Sequence, residues 1–227
     1  MPTFCICGID TGIGKSFAAG LMARDLLYKG ERVITQKIVQ TGCTERSQDI
    51  LVHRKLMEVG WLDVDEKKLT CPYCFSFPGS PHLAARLEGR SIDPAVITAA
   101  IERLQEIYDW VLLEGAGGLL VPITENMTVI DYLVTLNIPI ILVTSSRLGS
   151  INHTLMSLEA IRSRKLELAG LVYNTFASSP PEIVKDSCNV FSKALQTYGF
   201  QNKIVVLPKW PDHKNIDWQP IFSNCKQ

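Results

Sequence analysis

A chain of 227 residues with 46% hydrophobic content can bury one substantial core, and its even run of turn and helix signals gives no reason to divide it. Lysine plus arginine equals aspartate plus glutamate at 23 each, a balance that argues against nucleic acid or an anionic membrane as principal partner and favours small-molecule chemistry. No basic leader precedes the first apolar run, no stretch approaches the ~18 consecutive apolar residues of a membrane helix, and seven irregularly spaced cysteines make no disulfide framework; the expectation is a soluble, cytoplasmic protein.

The best-marked site comes first in the chain. Thr3 to Gly8 reads as a buried strand, Ile9 to Gly14 as a glycine-punctuated loop, and Ser16 opens a helix. Gly12 and Gly14 let backbone N–H groups curl around an anion. Lys15 supplies a point charge for phosphate oxygens, and the Ser16 hydroxyl suits a Mg²⁺ ligand at a helix N-terminus. Gly8 to Gly14 leaves five intervening residues where the common phosphate loop has four, but the strand-loop-helix context supports triphosphate chemistry.

The helical stripe of Phe17, Leu21, Met22, Leu26 and Leu27 ends at Gly30, and Val33 to Gln36 reads as a second strand, parallel to the first through a right-handed crossover. Lys37 and Thr41 fall just beyond it, on the rim that carries the phosphate loop. Lys37 is as compatible with a solvated loop as with a phosphate contact. Asp49 opens a helix through Val59, either as a first-turn acid that suits the helix dipole or as part of a Mg²⁺ shell. Trp61 to Lys68 reads as polar surface. Cys71 and Cys74 form a C-x-x-C without two further zinc ligands at suitable spacing.

Ser80-Pro81-His82 starts a short helix, and Ile92 to Ile107 is an amphipathic one. Trp110 to Leu113 is a buried strand ending in Glu114-Gly115-Ala116-Gly117-Gly118, where a carboxylate at a strand end is placed to reach Mg²⁺ or sits incidentally in a tight turn. A loop and helix follow from Val121 to Asn137. Pro139 to Thr144 and Leu168 to Tyr173 are further strands, with a helix from Ser150 to Arg164 between them and Asn174 at the second strand's end. A helix from Pro180 to Tyr198 and a strand from Ile204 to Leu207 complete the pattern. Apolar strands alternating with helices predict an α/β fold with a mostly parallel, doubly wound sheet of P-loop NTPase type over residues 1–210. A polar, loosely held tail is expected over 211–227.

Taken together, these stretches closely resemble dethiobiotin synthetase, an ATP-dependent family of biotin synthesis. The resemblance rests on Gly8 to Ser16, Lys37 with Thr41-Gly42, Asp49, Pro72-Tyr73 with Phe75, Ser80-Pro81-His82, Glu114 to Gly118, Leu148-Gly149-Ser150-Ile151-Asn152-His153, Asn174 and Leu207-Pro208. The five-residue spacing belongs to that family's phosphate loop. The resemblance implies 7,8-diaminopelargonic acid, CO₂ and MgATP as substrates, with a carbamate attacking the γ-phosphate and a cyclic urea closing from the resulting carbamic–phosphoric anhydride.

Carried over position by position, it implies that Thr11, Lys15, Lys37 and Thr41 surround the carbamate and γ-phosphate, Lys15 and Lys37 carrying most of the rate. Gly12, Ile13, Gly14, Lys15, Ser16 and Phe17 would cradle the phosphates beside Gly115, Ala116 and Gly117. Asn174, with Thr175 next to it, would read the adenine edge, and Leu207, Pro208 and Lys209 would border the base. Ser16, Asp49 and Glu114 would hold Mg²⁺. The substrate carboxylate would be held partly by the partner subunit near Gly149, Ser150, Ile151 and Asn152, which implies a homodimer. There are three departures from the family: Thr41 stands where serine is usual, Gly12 where an acid is common, and the pair Cys71 and Cys74 is not a family feature.

Two other classes share parts of this pattern. A partitioning-type switch ATPase, acting by nucleotide-dependent dimerisation, has a signature lysine where this chain has Asp10, whose negative charge would repel a partner's phosphate. A glutamine-dependent amidase of the superfamily needs an additional domain for which no room remains.

Overall fold

The computed structural model describes residues 1–176, 179–209 and 216–223. Six parallel strands form the central sheet: β1 (Thr3–Gly8), β2 (Val33–Lys37), β5 (Trp110–Gly118), β8 (Ile140–Ser145), β9 (Leu168–Asn174) and β10 (Ile204–Leu207). Their order across the sheet is β10-β9-β8-β1-β5-β2, while β6 (Pro122–Thr124) and β7 (Met127–Thr128) form a separate antiparallel pair and a short helix, α4 (Pro81–Leu87), precedes β5 in the chain. β1 lies between β5 and β8, pairing Ile6 with Glu114 and with Ile141, and is buried along its whole length. Both its faces must be covered, and near-continuous apolar strands such as Thr3–Gly8 and Ile140–Ser145 are what a sheet clad on both sides requires.

Helices α1 (Lys15–Tyr28), α2 (Gln48–Leu56), α5 (Pro94–Ile107), α6 (Val129–Leu136), α7 (Ser150–Ser163) and α8 (Pro181–Thr197) supply that covering. Their ends follow local chemistry. Asp93 caps α5 by accepting from the Ala95 N–H, with Pro94 in the first turn. Thr128 and Asp131 close a capping box on α6, which stops at Asn137 in the left-handed region. Gly30, at φ +83°, ends the turn after α1.

Several boundaries differ from the sequence reading, each for a pairing reason. Lys37 is the last residue of β2, held in register opposite Glu114, and does not lie beyond the strand. Thr41 belongs to a two-residue strand, β3 (Gln40–Thr41), that pairs with β4 (Cys74–Phe75). Strand β5 runs on through the glycines to Gly118 because Gly118 still pairs with Gly8 across a bulge. The Trp61–Lys68 stretch holds a short helix, α3 (Asp63–Glu66), with Val64 and Asp65 buried. Cys74 forms a disulfide with Cys43 and leaves Cys71 free, so the C-x-x-C is not a unit and one bridge does form.

The expectation of a loosely held tail fails at residues 218–222. Trp218 and Ile221 are 1% exposed, and Phe222 packs edge-on against Phe4 and Trp110, with ring centroids 5.6 and 5.3 Å apart. A short helix, α9 (Gln219–Phe222), carries these side chains back to the core. Among the described residues no helix is long and apolar enough to cross a membrane.

Candidate active site

The carboxyl ends of β1, β2 and β5 share one rim, and the phosphate loop curls over it. Gly12 and Gly14 have φ of +71° and +100°, values only glycine adopts freely, and Gly14 serves as the N-cap of α1. No side chain caps that helix and no acid occupies its first turn, so its leading N–H groups face the loop without a competing carboxylate. A Cβ on Gly14 would fall 2.4 Å from Asn174 Nδ2. The Asn174 amide in turn donates to the Ile13 carbonyl at 2.8 Å, while its oxygen accepts from the Phe176 N–H at 2.9 Å. The end of β9 thus braces the loop from behind.

Lys15 is buried and donates to the Asp10 carbonyl at 2.8 Å. Burial is the main force that pushes its ammonium down to about 8, and the nearby positive charge of Lys37 adds to it. An ammonium so short of counter-charge is prepared to donate to phosphate oxygens. The Asp10 carboxylate is bound by the Thr11 N–H at 2.7 Å and by Arg147, which fixes the outer arm of the loop to the approach to α7.

At the centre stands a buried ion cluster. Lys37 Nζ donates to Glu114 Oε1 at 2.8 Å and to the Gly115 carbonyl at 3.0 Å, and pairs with Asp49 Oδ2 at 2.7 Å. Glu114 Oε1 also accepts from Ser16 Oγ at 3.0 Å, and Glu114 Oε2 meets His53 Nε2 at 2.7 Å. Burial alone would raise the Glu114 carboxyl, but the charge of Lys37 and the hydrogen bonds of His53 and Lys37 outweigh it and hold the group well below the usual carboxylate range. Burial acts to lower Lys37, and the two carboxylates overcome it and keep the ammonium above its ordinary value.

These groups open onto a cleft of about 760 Å³ lined by Thr11, Gly12, Gly14, Lys15, Ser16, Phe17, Lys37, Thr41, Asp49, Glu114, Ala116 and Gly117. A smaller, largely apolar cavity of about 200 Å³ adjoins it, sharing Gly12, Gly14 and Phe17 and adding Asn174, Leu207 and Pro208. Of the residues singled out in the sequence, Ile13 and Gly115 contribute backbone carbonyls to the frame, to Asn174 and Lys37 respectively. Thr175 bonds the Leu207 carbonyl through both its N–H and its hydroxyl, and Lys209 is exposed. Gly149, Ser150 and Asn152 open α7 and do not line the cleft within one chain; Ser150 Oγ bonds Ser145 Oγ and the exposed Asn152 reaches Met156.

His53, Arg147 and the apolar wall of Val39, Val52, Pro78 and Val121 are additions that the sequence reading did not single out. For His53 a signal existed, since it stands four residues after Asp49 on one helix and so shares its face.

The donor set suits Mg²⁺. Ser16 Oγ, Asp49 and Glu114 present hard oxygens beside a phosphate cradle, and Mg²⁺ is held by one or two carboxylates together with substrate phosphates. Among the described residues, no group of three or more His, Cys, Asp or Glu side chains forms a metal cage of its own.

A parallel sheet with a glycine-rich loop, lysine and serine at the first helix's N-terminus defines a P-loop nucleotide-binding protein. A family model described as an AAA domain matches residues 2–213. The ATP-dependent dethiobiotin synthetase BioD of Chlorobaculum tepidum is 49% identical over 201 residues, covering 88% of this chain and 84% of the relative. The enzyme named BioD 2 of Pasteurella multocida is 45% identical over 195 residues, covering 86% and 92%. The chain belongs to the dethiobiotin synthetase family. A ParA family ATPase from Chlorobium tepidum superposes with a TM-score of 0.54 at 16% identity, over 93% of this chain and 85% of that one, a likeness of fold alone.

Proposed function

We propose that the protein is an ATP-dependent dethiobiotin synthetase, which carboxylates 7,8-diaminopelargonic acid with CO₂ and closes the cyclic urea with release of ADP and phosphate. The observation that carries this reading is the convergence of Lys15, Ser16, Lys37, Asp49 and Glu114 on one cleft. The chemistry needs charge stabilisation and alignment and no protein nucleophile: a carbamate oxygen attacks the γ-phosphorus, and the bond to ADP breaks. The second amine then attacks the carbamate carbon, phosphate leaves and a proton is lost.

In this reading the loop N–H groups and Lys15 take the β- and γ-phosphate oxygens, and Lys37, with the Thr11 and Thr41 hydroxyls, lies against the carbamate and the transferring phosphoryl. Ser16, Asp49 and Glu114 would hold Mg²⁺, which would supply charge neutralisation. The apolar cavity beside Asn174, Leu207 and Pro208 takes the base, and the Asn174 amide, which spends one N–H on Ile13 and one lone pair on Phe176, keeps a second N–H and a second lone pair for the adenine edge. The opening of α7, with Gly149, Ser150 and Asn152, is assigned to the substrate carboxylate of a partner's site in a cytoplasmic homodimer.

The test is incubation with the diamine, bicarbonate and MgATP, followed by mass spectrometry. A product mass equal to the cyclic urea, formed in step with ADP, is the expected result. ATP hydrolysis without that product would instead favour a switch ATPase.

A further inference from the structure

The metal-facing carboxylate has a buried companion that lies outside the phosphate-loop, lysine and acid pattern. His53 is 0% exposed, and its Nε2 stands 2.7 Å from Glu114 Oε2. Its other nitrogen, Nδ1, finds no partner among the described residues. A carboxylate only accepts, so the imidazole donates from Nε2 to Glu114.

The chain makes room for this contact. At Gly20 of α1, a Cβ would lie 2.8 Å from Leu56 Cδ1 and 3.3 Å from the His53 Cα. The missing side chain lets α2 press onto α1 and brings His53 to the carboxylate. The two oxygens of Glu114 are thereby given different work: Oε2 is held by the imidazole, and Oε1 faces Ser16 and Lys37 at the cleft. Without a donor on Oε2 the carboxylate is held through Oε1 alone, and rotation about its last bond is less restricted.

We infer that His53 is a positioning residue that orients Glu114 for divalent-cation binding in the presence of nucleotide. This rests on the reading that Ser16, Asp49 and Glu114 form the Mg²⁺ site. Partners of metal-ligating groups are worth about 10–100-fold in metal affinity.

The test uses Mn²⁺ as a spectroscopic probe, titrated by electron paramagnetic resonance into the full chain with ADP, so that no turnover is needed. His53→Leu keeps an apolar filling of similar size and removes the donor; His53→Gln keeps a side-chain N–H. Expected is a weakening of Mn²⁺ by at least about tenfold in His53→Leu, with partial recovery in His53→Gln and unchanged ADP affinity in the absence of metal. In turnover, His53→Leu should raise the Mg²⁺ concentration needed for half-maximal rate and regain most of kcat at saturating Mg²⁺. Equal Mn²⁺ affinity in the parent and in a folded His53→Leu overturns the inference alone. If His53→Leu does not fold, His53→Gln decides: a Mn²⁺ affinity between the parent's and one tenth of it supports the assignment, and a complete loss overturns it. A parent that binds no Mn²⁺ with ADP overturns the metal reading and this inference with it.

Discussion

Lys37 and Glu114 are register partners on adjacent parallel strands, and their side chains meet at 2.8 Å on the same rim, with Asp49 on the other side of the ammonium. Strand pairing therefore sets the position of both charges before any ligand arrives. Lys37→Ala removes the counter-charge of two carboxylates, one of them buried, and the cation assigned to the transferring phosphoryl. Turnover should fall by about 10²–10³, and the protein should lose about 3–5 kcal/mol of stability because a buried carboxylate is left unpaired. Steady-state kinetics and thermal melting check the two effects; full turnover in the variant would refute the role of Lys37.

Gly14 lies where two requirements meet, a φ of +100° and a back wall formed by the Asn174 amide. Gly14→Ala brings a Cβ within 2.4 Å of Asn174 Nδ2, in a backbone region that costs an L-residue roughly 1–2 kcal/mol. The loop must shift, and its N–H groups lose their common aim. ADP affinity should weaken by at least about tenfold, equivalent to about 1.4 kcal/mol, as measured by titration with a fluorescent ADP. An unchanged Kd would mean that the loop tolerates the added methyl and that Asn174 is not a rigid brace.

Arg54 clasps Asp65 through Nε at 2.9 Å and Nη2 at 2.7 Å, and Thr70 donates to the same carboxylate, all inside the protein. Burial would raise the Asp65 carboxyl, but the hydrogen bonds and charge of Arg54 outweigh it and hold it below the usual 3.8. A group whose folded pKa is depressed adds stability at pH values above its unfolded pKa and loses it as pH falls through the folded one. The contribution should be complete at neutral pH and decline below about pH 4. Asp65→Asn, which strands the Arg54 guanidinium, should lower neutral-pH stability by about 3–5 kcal/mol and flatten the acid limb of the stability curve. Urea denaturation at several pH values gives both quantities, and parallel curves for parent and variant would exclude the assignment.

Much of this was legible from the order of residues. Apolar strands between helical stripes, Gly12 and Gly14 ahead of Lys15-Ser16, and Glu114 closing a buried strand each follow from local chemistry. Pairing decided what local chemistry left open. Lys37 reads as a loop residue until its register with Glu114 is known, and β5 reads as ending at Glu114 until Gly118 finds Gly8. His53 shares a helix face with Asp49, yet its contact with Glu114 spans 61 residues of sequence and depends on how closely α2 approaches at Gly20. The Cys43–Cys74 bridge likewise joins segments that only the β3–β4 pairing brings together.

The carboxy-terminal segment looks polar because its three apolar anchors, Trp218, Ile221 and Phe222, are diluted among charged and amide residues, although their i, i+3, i+4 spacing describes one helical face. That face packs on the amino-terminal side of the sheet. Phe222 meets Phe4 and Trp110, near the starts of β1 and β5, and Ile221 lies where Gly170 of β9 has no side chain. The phosphate loop and ion cluster occupy the opposite, carboxyl rim, so loss of the anchor should cost stability without reshaping the cleft. Trp218→Ala should destabilise by about 3–5 kcal/mol, which for a domain of this size lowers Tm by roughly 10 °C. Gly170→Ala, whose Cβ would sit 2.9 Å from Ile221 Cγ1 and 3.2 Å from the Lys203 carbonyl, should cost about 1–3 kcal/mol by crowding. Both variants should keep the parent's ADP affinity well below their melting temperatures. A parallel loss of nucleotide binding in either would show that the two edges of the sheet are coupled.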